Sequence, residues 1–96
     1  MIRREGNHLF LEGPVVMDTV PDLVRSTSFS SLGQEVTIDF SRTTDLDSAA
    51  VALLLHWQRE AVRDKKHLIF VKIPANLRVL ISLYGLSPLL EGIVEV

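Results

Sequence analysis

The sequence has 96 residues, with ten Lys and Arg against twelve Asp and Glu and a formal net charge of -2. This length suits one small domain over residues 1–96, and 47% hydrophobic residues are typical of a folded globular chain. The charge balance gives no indication of nucleic acid as a partner, and the absence of cysteine excludes disulfides and thiolate chemistry. No apolar run approaches the roughly 20 residues of a membrane span, and the N-terminus is too polar for a signal peptide. We therefore expect a cytoplasmic protein, with any membrane connection made through another protein.

The first third of the chain predicts two short strands and a helix. Residues 8–12 are an apolar strand candidate, and the Gly-Pro pair at 13–14 indicates a turn into a second extended piece at 15–17. These pieces predict a hairpin at the edge of a sheet. Over residues 18–30 the apolar spacing, with Pro21 allowed in the first turn, predicts a helix with a frayed, serine-rich end.

The rest of the chain alternates strands and helices. Residues 35–40 alternate as a strand does, and residues 48 to about 63 predict the second helix. Residues 67–73 are apolar at nearly every position, which is typical of a buried parallel strand. A third helix is predicted over 75–84 and a last short strand over 93–96. The order β-β-α-β-α-β-α-β predicts an α/β fold with a mixed, mostly parallel sheet and helices packed against it.

The apolar positions of these elements predict a single core. Its expected members from strands and helices are Val36, Ile38, Phe40, Val51, Leu54, Leu68, Phe70 and Leu77. The third helix is expected to turn one stripe toward this core, formed by Leu77, Leu80, Ile81 and Tyr84. Gly85, followed by Leu86, predicts the C-terminal cap of that helix.

The start of the second helix carries the most informative pair of residues. Asp47 is a good N-cap candidate, so Ser48 opens the first turn. A serine there lies beside free backbone N–H groups and the positive end of the helix dipole, and it cannot be deep in the core. Two interpretations stand side by side: the pair is only a cap, or Ser48 is a contact or switch point.

The rest of the second helix predicts an interaction surface. A helical wheel directs one broad face to the sheet, formed by Val51, Leu54, Leu55, Ala61 and Val62. Leu53 falls on the opposite side, and Val79 and Leu83 fall off the core stripe of the third helix. A lone exposed leucine is normal, but here small residues surround it. We define the predicted contact surface by these partner-binding candidates: Ser48, Ala49, Ala52, Leu53, His56, Val79 and Leu83.

Four segments carry a resemblance to a known family. They are Leu-Glu-Gly-Pro-Val at 11–15, Val-Thr-Ile-Asp-Phe-Ser at 36–41, Leu-Asp-Ser-Ala-Ala-Val-Ala-Leu-Leu at 46–54, and the segment 80–86. Together with the order of elements, they resemble the STAS domain of bacterial anti-sigma-factor antagonists and of the cytoplasmic parts of sulfate transporters. Within that family the chain looks most like the MlaB group, the small stand-alone STAS subunits of Mla phospholipid-transport ABC systems.

The resemblance implies a regulatory or assembly subunit. Its partner would be the MlaF-like ATPase of a phospholipid-transporting ABC complex that maintains outer-membrane lipid asymmetry, with Ser48 at the contact. One alternative is an anti-sigma-factor antagonist switched by phosphorylation of Ser48, although Ala50 stands where antagonists usually have glycine. Another is a stand-alone nucleotide- or lipid-binding module, for which the sequence offers no phosphate cradle and no evident cavity.

No enzymatic motif is present. The three histidines lack the paired spacing of a zinc site, so we expect no metal and no cofactor, and His56 is interpreted as a surface or interface residue. Ser48 and His56 would lie about 12 Å apart along one helix, too far for a catalytic hydrogen bond. Trp57 is interpreted as a packing residue at the edge of the core, with its indole N–H near water. We therefore expect a non-enzymatic protein.

Overall fold

The structure is a computed structural model, and it describes residues 1–86. Seven elements follow one another in the order β-β-α-β-α-β-α. They are β1 (Ile2–Glu5), β2 (His8–Val15), α1 (Val20–Ser26), β3 (Glu35–Leu46), α2 (Ser48–Arg63), β4 (His67–Val71) and α3 (Ala75–Leu83). The predicted α/β class is confirmed, and the strand predicted at residues 93–96 lies outside the described residues.

The four strands form one mixed sheet in the order β1-β2-β3-β4. β1 pairs antiparallel with β2, whereas β2, β3 and β4 run parallel to one another. Because successive parallel strands are neighbours, right-handed crossovers carry α1 and α2 over the same face of the sheet. α2 contacts both α1 and α3, so the helix that begins at Ser48 is the central one of this layer.

The hairpin at the edge of the sheet lies earlier in the chain than the sequence predicts. It joins β1 to β2 through a turn at Gly6 and Asn7, where Gly6 has a φ of 62°. The Gly13-Pro14 pair lies inside β2, where the register with β3 shifts. A glycine with a φ of 84° fits such an irregularity because it adopts a left-handed conformation at little cost. The predicted turn at 13–14 is therefore wrong, and the pair marks a bulge in a continuous strand.

α1 is shorter than predicted, ending at Ser26 rather than at residue 30. The hydroxyls of Ser26 and Thr27 both donate to the carbonyl oxygen of Leu23, at 3.3 and 2.7 Å. Such side-chain bonds compete with the backbone bonds that would continue a helix. Phe29 and Leu32 then turn back into the core, so the serine-rich segment is a loop anchored at two points.

α3 ends as the glycine at position 85 predicts. The N–H of Leu86 donates to the carbonyl oxygen of Ile81 and the N–H of Gly85 donates to that of Ser82, both at 3.0 Å. This is the Schellman arrangement, in which the residue after the cap is left-handed, and Gly85 has a φ of 67°. Tyr84 was expected on the core stripe of this helix, but its side chain is largely exposed because it lies at the cap, past the last helical turn.

All eight side chains predicted for the core belong to one buried cluster. The rings of Phe40 on β3 and Phe70 on β4 meet edge to face, with their centroids 6.2 Å apart. Strand alternation accounts for this arrangement, because every second residue of β3 points toward the helices. The core therefore lies between one face of the sheet and the helical layer.

The orientation of α2 differs from the helical-wheel prediction. Leu53 is only 1% exposed, whereas Val62, which was expected in the core, is 66% exposed. Trp57 is fully buried, and its indole N–H has no hydrogen-bond partner within residues 1–86. The prediction of an exposed Leu53 is wrong; Trp57 is a packing residue as predicted, but its indole N–H is buried rather than near water. The buried stripe is centred on the largest side chain of the helix and comprises Ala50, Val51, Leu53, Leu54, Trp57 and Ala61.

Candidate partner-binding surface

The start of α2 is held by the carboxylate of Asp47. The N–H of Ala49 donates to Oδ1 of Asp47 at 2.8 Å, which is an N-cap hydrogen bond. The N–H of Met17 donates to Oδ2 at 3.0 Å, so the same carboxylate also fixes the segment between β2 and α1. Asp47 is therefore the predicted cap, and both of its oxygens already accept a hydrogen bond.

Ser48 lies on the first turn of α2, just past the C-terminal end of β3. Its side chain is exposed, and its hydroxyl makes no hydrogen bond within residues 1–86. Because Asp47 supplies the cap, the hydroxyl of Ser48 is not needed to satisfy the helix N-terminus. The side chain remains available for contact with another molecule.

The outer surface of α2 and α3 contains six of the seven residues of the predicted contact surface. Ser48 and Ala52 are exposed, and Ala49 and His56 are partly exposed on α2. On α3, which packs against α2, Val79 is 56% exposed and Leu83 is 73% exposed. Leu53 is the exception: it belongs to the core cluster, and a side chain committed to the core cannot touch a partner.

The sequence analysis missed the exposure of three apolar side chains within residues 1–86. Val62 on α2 and Tyr84 at the end of α3 were expected in the core, and Met17 precedes α1 close to the α2 cap. A signal for Val62 was present in the sequence. If Trp57 is taken as the centre of the buried stripe, a residue five positions later points well away from the core.

Within residues 1–86, the polar contact of His56 is a local one on its own helix. Its Nε2 lies 3.2 Å from Oε1 of Glu60, one turn later, but the two groups are not aligned as a hydrogen bond. In the part of the chain that the structure describes, no three His, Cys, Asp or Glu side chains come together as a metal site would require. His56 therefore contributes shape and polarity to the surface of α2.

A polar cluster occupies the opposite face of the sheet. His8 and Phe10 alternate with core residues along β2 and so point away from the helices. Nε2 of His8 lies 3.1 Å from Oδ2 of Asp39, and the two rings of His8 and Phe10 stack with centroids 4.3 Å apart. The guanidinium of Arg42 lies 4.2 Å from the Phe10 centroid and its Nη1 lies 3.2 Å from Oε2 of Glu12. These contacts join β2 to β3.

Asp39 is the most buried charged group of this cluster, at 7% exposure. Burial raises the pKa of its carboxyl group, but the hydrogen bonds from Ser41 and from His8 outweigh that effect and hold the pKa below its ordinary value. The backbone N–H of Ser41 donates to Oδ1 at 2.7 Å. Because the partners of the carboxylate within residues 1–86 come from the sheet, we interpret the cluster as structural.

Comparison with known families decides the identity of the domain. Residues 1–91 match the family model described as "Mlab, STAS domain". The chain belongs to the STAS domain family. No curated protein matches it. Among residues 1–86, no helix of this STAS domain is both long and apolar enough to cross a membrane.

Solved STAS structures share the fold at low sequence identity. A sulfate transporter family protein from Wolinella succinogenes has a TM-score of 0.71 at 16% identity, with 91% of this chain and 73% of that chain covered. The phosphorylated Bacillus cell fate determinant SpoIIAA has a TM-score of 0.68 at 18% identity, with 99% and 87% covered. The unphosphorylated anti-sigma factor antagonist SpoIIAA has a TM-score of 0.64 at 17% identity, with 86% and 81% covered. These similarities establish the architecture.

Proposed function

We propose that this STAS domain is a non-enzymatic regulatory or assembly subunit that binds the cytoplasmic ATPase of a phospholipid-transporting ABC complex and supports its activity. The membership in the MlaB group of the family supports this role. The observation that carries the proposal is the pair of exposed apolar side chains on α3, the helix that packs against α2. Val79 and Leu83 lie one turn apart and are 56% and 73% exposed, and neighbouring exposed apolar side chains are typical of protein interfaces.

The surface near Ser48 suits close contact with a folded partner. Ser48, Ala49 and Ala52 have the shortest side chains on the outer side of α2, so a partner can approach the helix backbone. Bulk or charge introduced here would hold the partner away or leave an unpaired charge in a desolvated contact. The hydroxyl of Ser48, which has no partner within residues 1–86, would be satisfied by a polar group of the ATPase.

Co-purification with the ATPase tests the proposal. We expect Ser48→Arg and Ser48→Glu to fold with normal circular-dichroism spectra and to lose the ATPase, whereas Ser48→Thr keeps it because the hydroxyl and nearly the same size are retained. Glutamate is the sharper variant, since negative charge at a helix N-terminus is favourable in the free domain. Ser30→Glu, at an exposed serine in the loop after α1, is the matched control and should bind normally. If the Ser48→Glu variant still co-purified with the ATPase, the proposal that this surface binds the ATPase would be rejected.

A second candidate function is that of an anti-sigma-factor antagonist switched by phosphorylation of Ser48. The exposed, unpartnered hydroxyl at a helix N-terminus favours it, because added negative charge is stabilised there. Two features count against it: Asp45 and Asp47 would repel a phosphate, and the side chain of Ala50, where antagonists usually have glycine, is fully buried. Incubation with ATP and a purified serine kinase of the anti-sigma-factor type separates the two functions. Phosphate on Ser48 would favour the antagonist, and no incorporation would favour the ATPase subunit.

A further inference from the structure

A cleft of about 280 Å³ lies between the β1–β2 hairpin and the loop that follows α1. Its floor is apolar and is formed by Ile2, Leu9 and Leu32, while Arg4, Ser28 and Ser31 stand at its polar rim. The rim side chains are exposed, so the cleft is open to solvent. The cleft could not be predicted from the sequence, because rim residues such as Arg4 and Ser31 are 27 positions apart in the chain.

The loop that forms one wall of the cleft is firmly attached. Phe29 and Leu32 are buried in the core, and the ammonium group of Lys66 donates to the carbonyl oxygen of Leu32. On the hairpin side, the N–H of Gly33 donates to Oδ1 of Asn7 at 3.0 Å. A Cβ at Gly33 would come within 2.6 Å of Nδ2 of Asn7, so loop and hairpin approach as closely as glycine permits. The cleft is therefore a fixed feature of the fold.

Arg4 differs from other arginines of the chain in what it contacts. Arg3, Arg25, Arg42 and Arg63 each pair with a carboxylate. Within residues 1–86, Arg4 contacts only neutral oxygens: Nε donates to the carbonyl of Gly6 at 3.0 Å, and the two terminal nitrogens donate to Oγ and the carbonyl of Ser31 at 3.3 and 3.5 Å. These bonds orient the guanidinium and leave two of its five N–H donors unused. An oriented positive charge that pairs with no carboxylate of residues 1–86 lies at the mouth of an apolar cleft.

We propose that this cleft binds a phosphate monoester carried on a short alkyl group. One of the free N–H donors of Arg4 would donate a charge-assisted hydrogen bond to a phosphate oxygen. The hydroxyl of Ser31 accepts from Arg4 and so keeps its own hydrogen for a second phosphate oxygen. A phosphate monoester carries more negative charge than a carboxylate, which favours it beside this guanidinium. The alkyl group would cover Ile2 and Leu9. The volume lies near the lower limit of small-molecule sites, which restricts the ligand to a small one.

This site is independent of the proposed ATPase contact. Leu9 belongs to the first half of β2 and the loop precedes β3, so the cleft lies at the N-terminal end of the parallel strands. Ser48 follows β3 at their C-terminal end. Loss of ligand binding and loss of the ATPase can therefore be measured separately, and the Ser48 variants should bind the ligand normally.

To test the site, the protein is titrated with n-butyl phosphate, inorganic phosphate or n-butanol. Binding is followed by NMR chemical shifts and by calorimetry. We expect n-butyl phosphate to bind at least about tenfold more tightly than inorganic phosphate, because only the ester also covers the apolar floor. Shifts should centre on Arg4, Ser31 and Leu32. Arg4→Gln should weaken binding about tenfold or more through loss of the charge-assisted hydrogen bond. Arg3→Gln, which removes the neighbouring charge on the other face of β1, is the matched control and should stay within about twofold.

Ser31→Ala provides a second variant that does not depend on the folding of Arg4→Gln, and it should weaken n-butyl phosphate binding while the melting temperature is kept. Monomeric lysophosphatidic acid identifies the source of the ligand. Tighter binding than n-butyl phosphate points to a lipid headgroup, and weaker binding to a free metabolite; both results support the site. The proposal is overturned if n-butyl phosphate does not bind at millimolar concentration, if inorganic phosphate binds equally well, or if Arg3→Gln weakens binding as much as Arg4→Gln.

Discussion

The two faces of α2 both carry apolar residues, but most of those on the inner face are buried and those on the outer face are partly or largely exposed. The inner face places Leu53 and Trp57 in the core, whereas the outer face leaves Leu55 partly buried and Val62 exposed. The difference follows from the neighbours of the helix, because α2 packs on the sheet and also touches α1 and α3. In such a position, the largest side chain decides which face turns inward, and apolar residues left outside are available to a partner.

A matched pair of charge substitutions on α2 tests this comparison. Of the substitutions considered, it should produce the largest difference in the free energy of unfolding. Leu53→Asp buries a charge with no partner and should destabilise the domain by more than about 4 kcal/mol, enough to unfold it. Val62→Asp adds the same charge on the outer face and should change the free energy of unfolding by less than about 0.5 kcal/mol. Circular dichroism with urea denaturation measures both. A folded Leu53→Asp protein would show that the assigned orientation of α2 is wrong.

The same contrast between faces applies to the sheet. Phe70→Ala on β4 should lower the free energy of unfolding by roughly 3–5 kcal/mol, because a large core side chain is lost from contact with Phe40 and leaves a cavity. Ile69→Ala, at the neighbouring position on the opposite face, is partly exposed and should cost clearly less. Equal losses in thermal or urea unfolding would contradict the assignment of Phe70 to the inner face.

Substitutions on α3 test whether the exposed apolar side chains serve a partner. Val79→Ser combined with Leu83→Ser should leave the melting temperature nearly unchanged, since both side chains are more than half exposed. It should weaken binding to the ATPase by about tenfold or more, as truncation of apolar interface contacts does. Ser82→Ala, at an exposed polar position of the same helix, is the control. Unchanged affinity in the double variant would confine the interface to α2.

The smallest effect on stability is expected from a substitution in the polar cluster on the face of the sheet opposite the helices. The pKa of Asp39 is held below its ordinary value of 3.8 in the folded chain. Its carboxylate therefore contributes stability that is fully present above 3.8 and lost as the pH falls through the lower folded value. Asp39→Asn should be less stable than the unchanged chain at neutral pH and should lose less stability on acidification. Asp45→Asn, an exposed aspartate of the same strand, should keep the original dependence of the melting temperature on pH.

The sequence predicted those elements whose apolar pattern is strong on its own. The alternation around Ile38, the apolar run around Phe70 and the cap at Asp47 are local signals, and each corresponds to the observed structure. β1 could not be predicted this way, because Ile2 is its only apolar residue and its strand conformation depends on pairing with β2. The predicted orientation of α2 was wrong for a related reason. The alanines of this helix fit either face, and only tertiary packing decides which face is buried.

The same distinction between local signals and tertiary packing applies to the candidate site. Ser48 could be singled out because capping is encoded within a few residues, and the exposure of Val79 and Leu83 follows from helical spacing. The exposure of Leu53 could not be judged without the neighbouring helices. The cleft was missed entirely, since Arg4 and Ser31 meet only after the hairpin and the loop have packed together.

The burial of Trp57 gives the protein an internal optical probe. The chain contains a single tryptophan, so its fluorescence comes from one known place in the core. The indole ring meets Phe29 edge to face with centroids 6.2 Å apart, and Phe29 belongs to the loop that forms a wall of the cleft. The emission of the native chain should therefore be shifted to short wavelength. Any ligand that moves this loop should change that emission without a label.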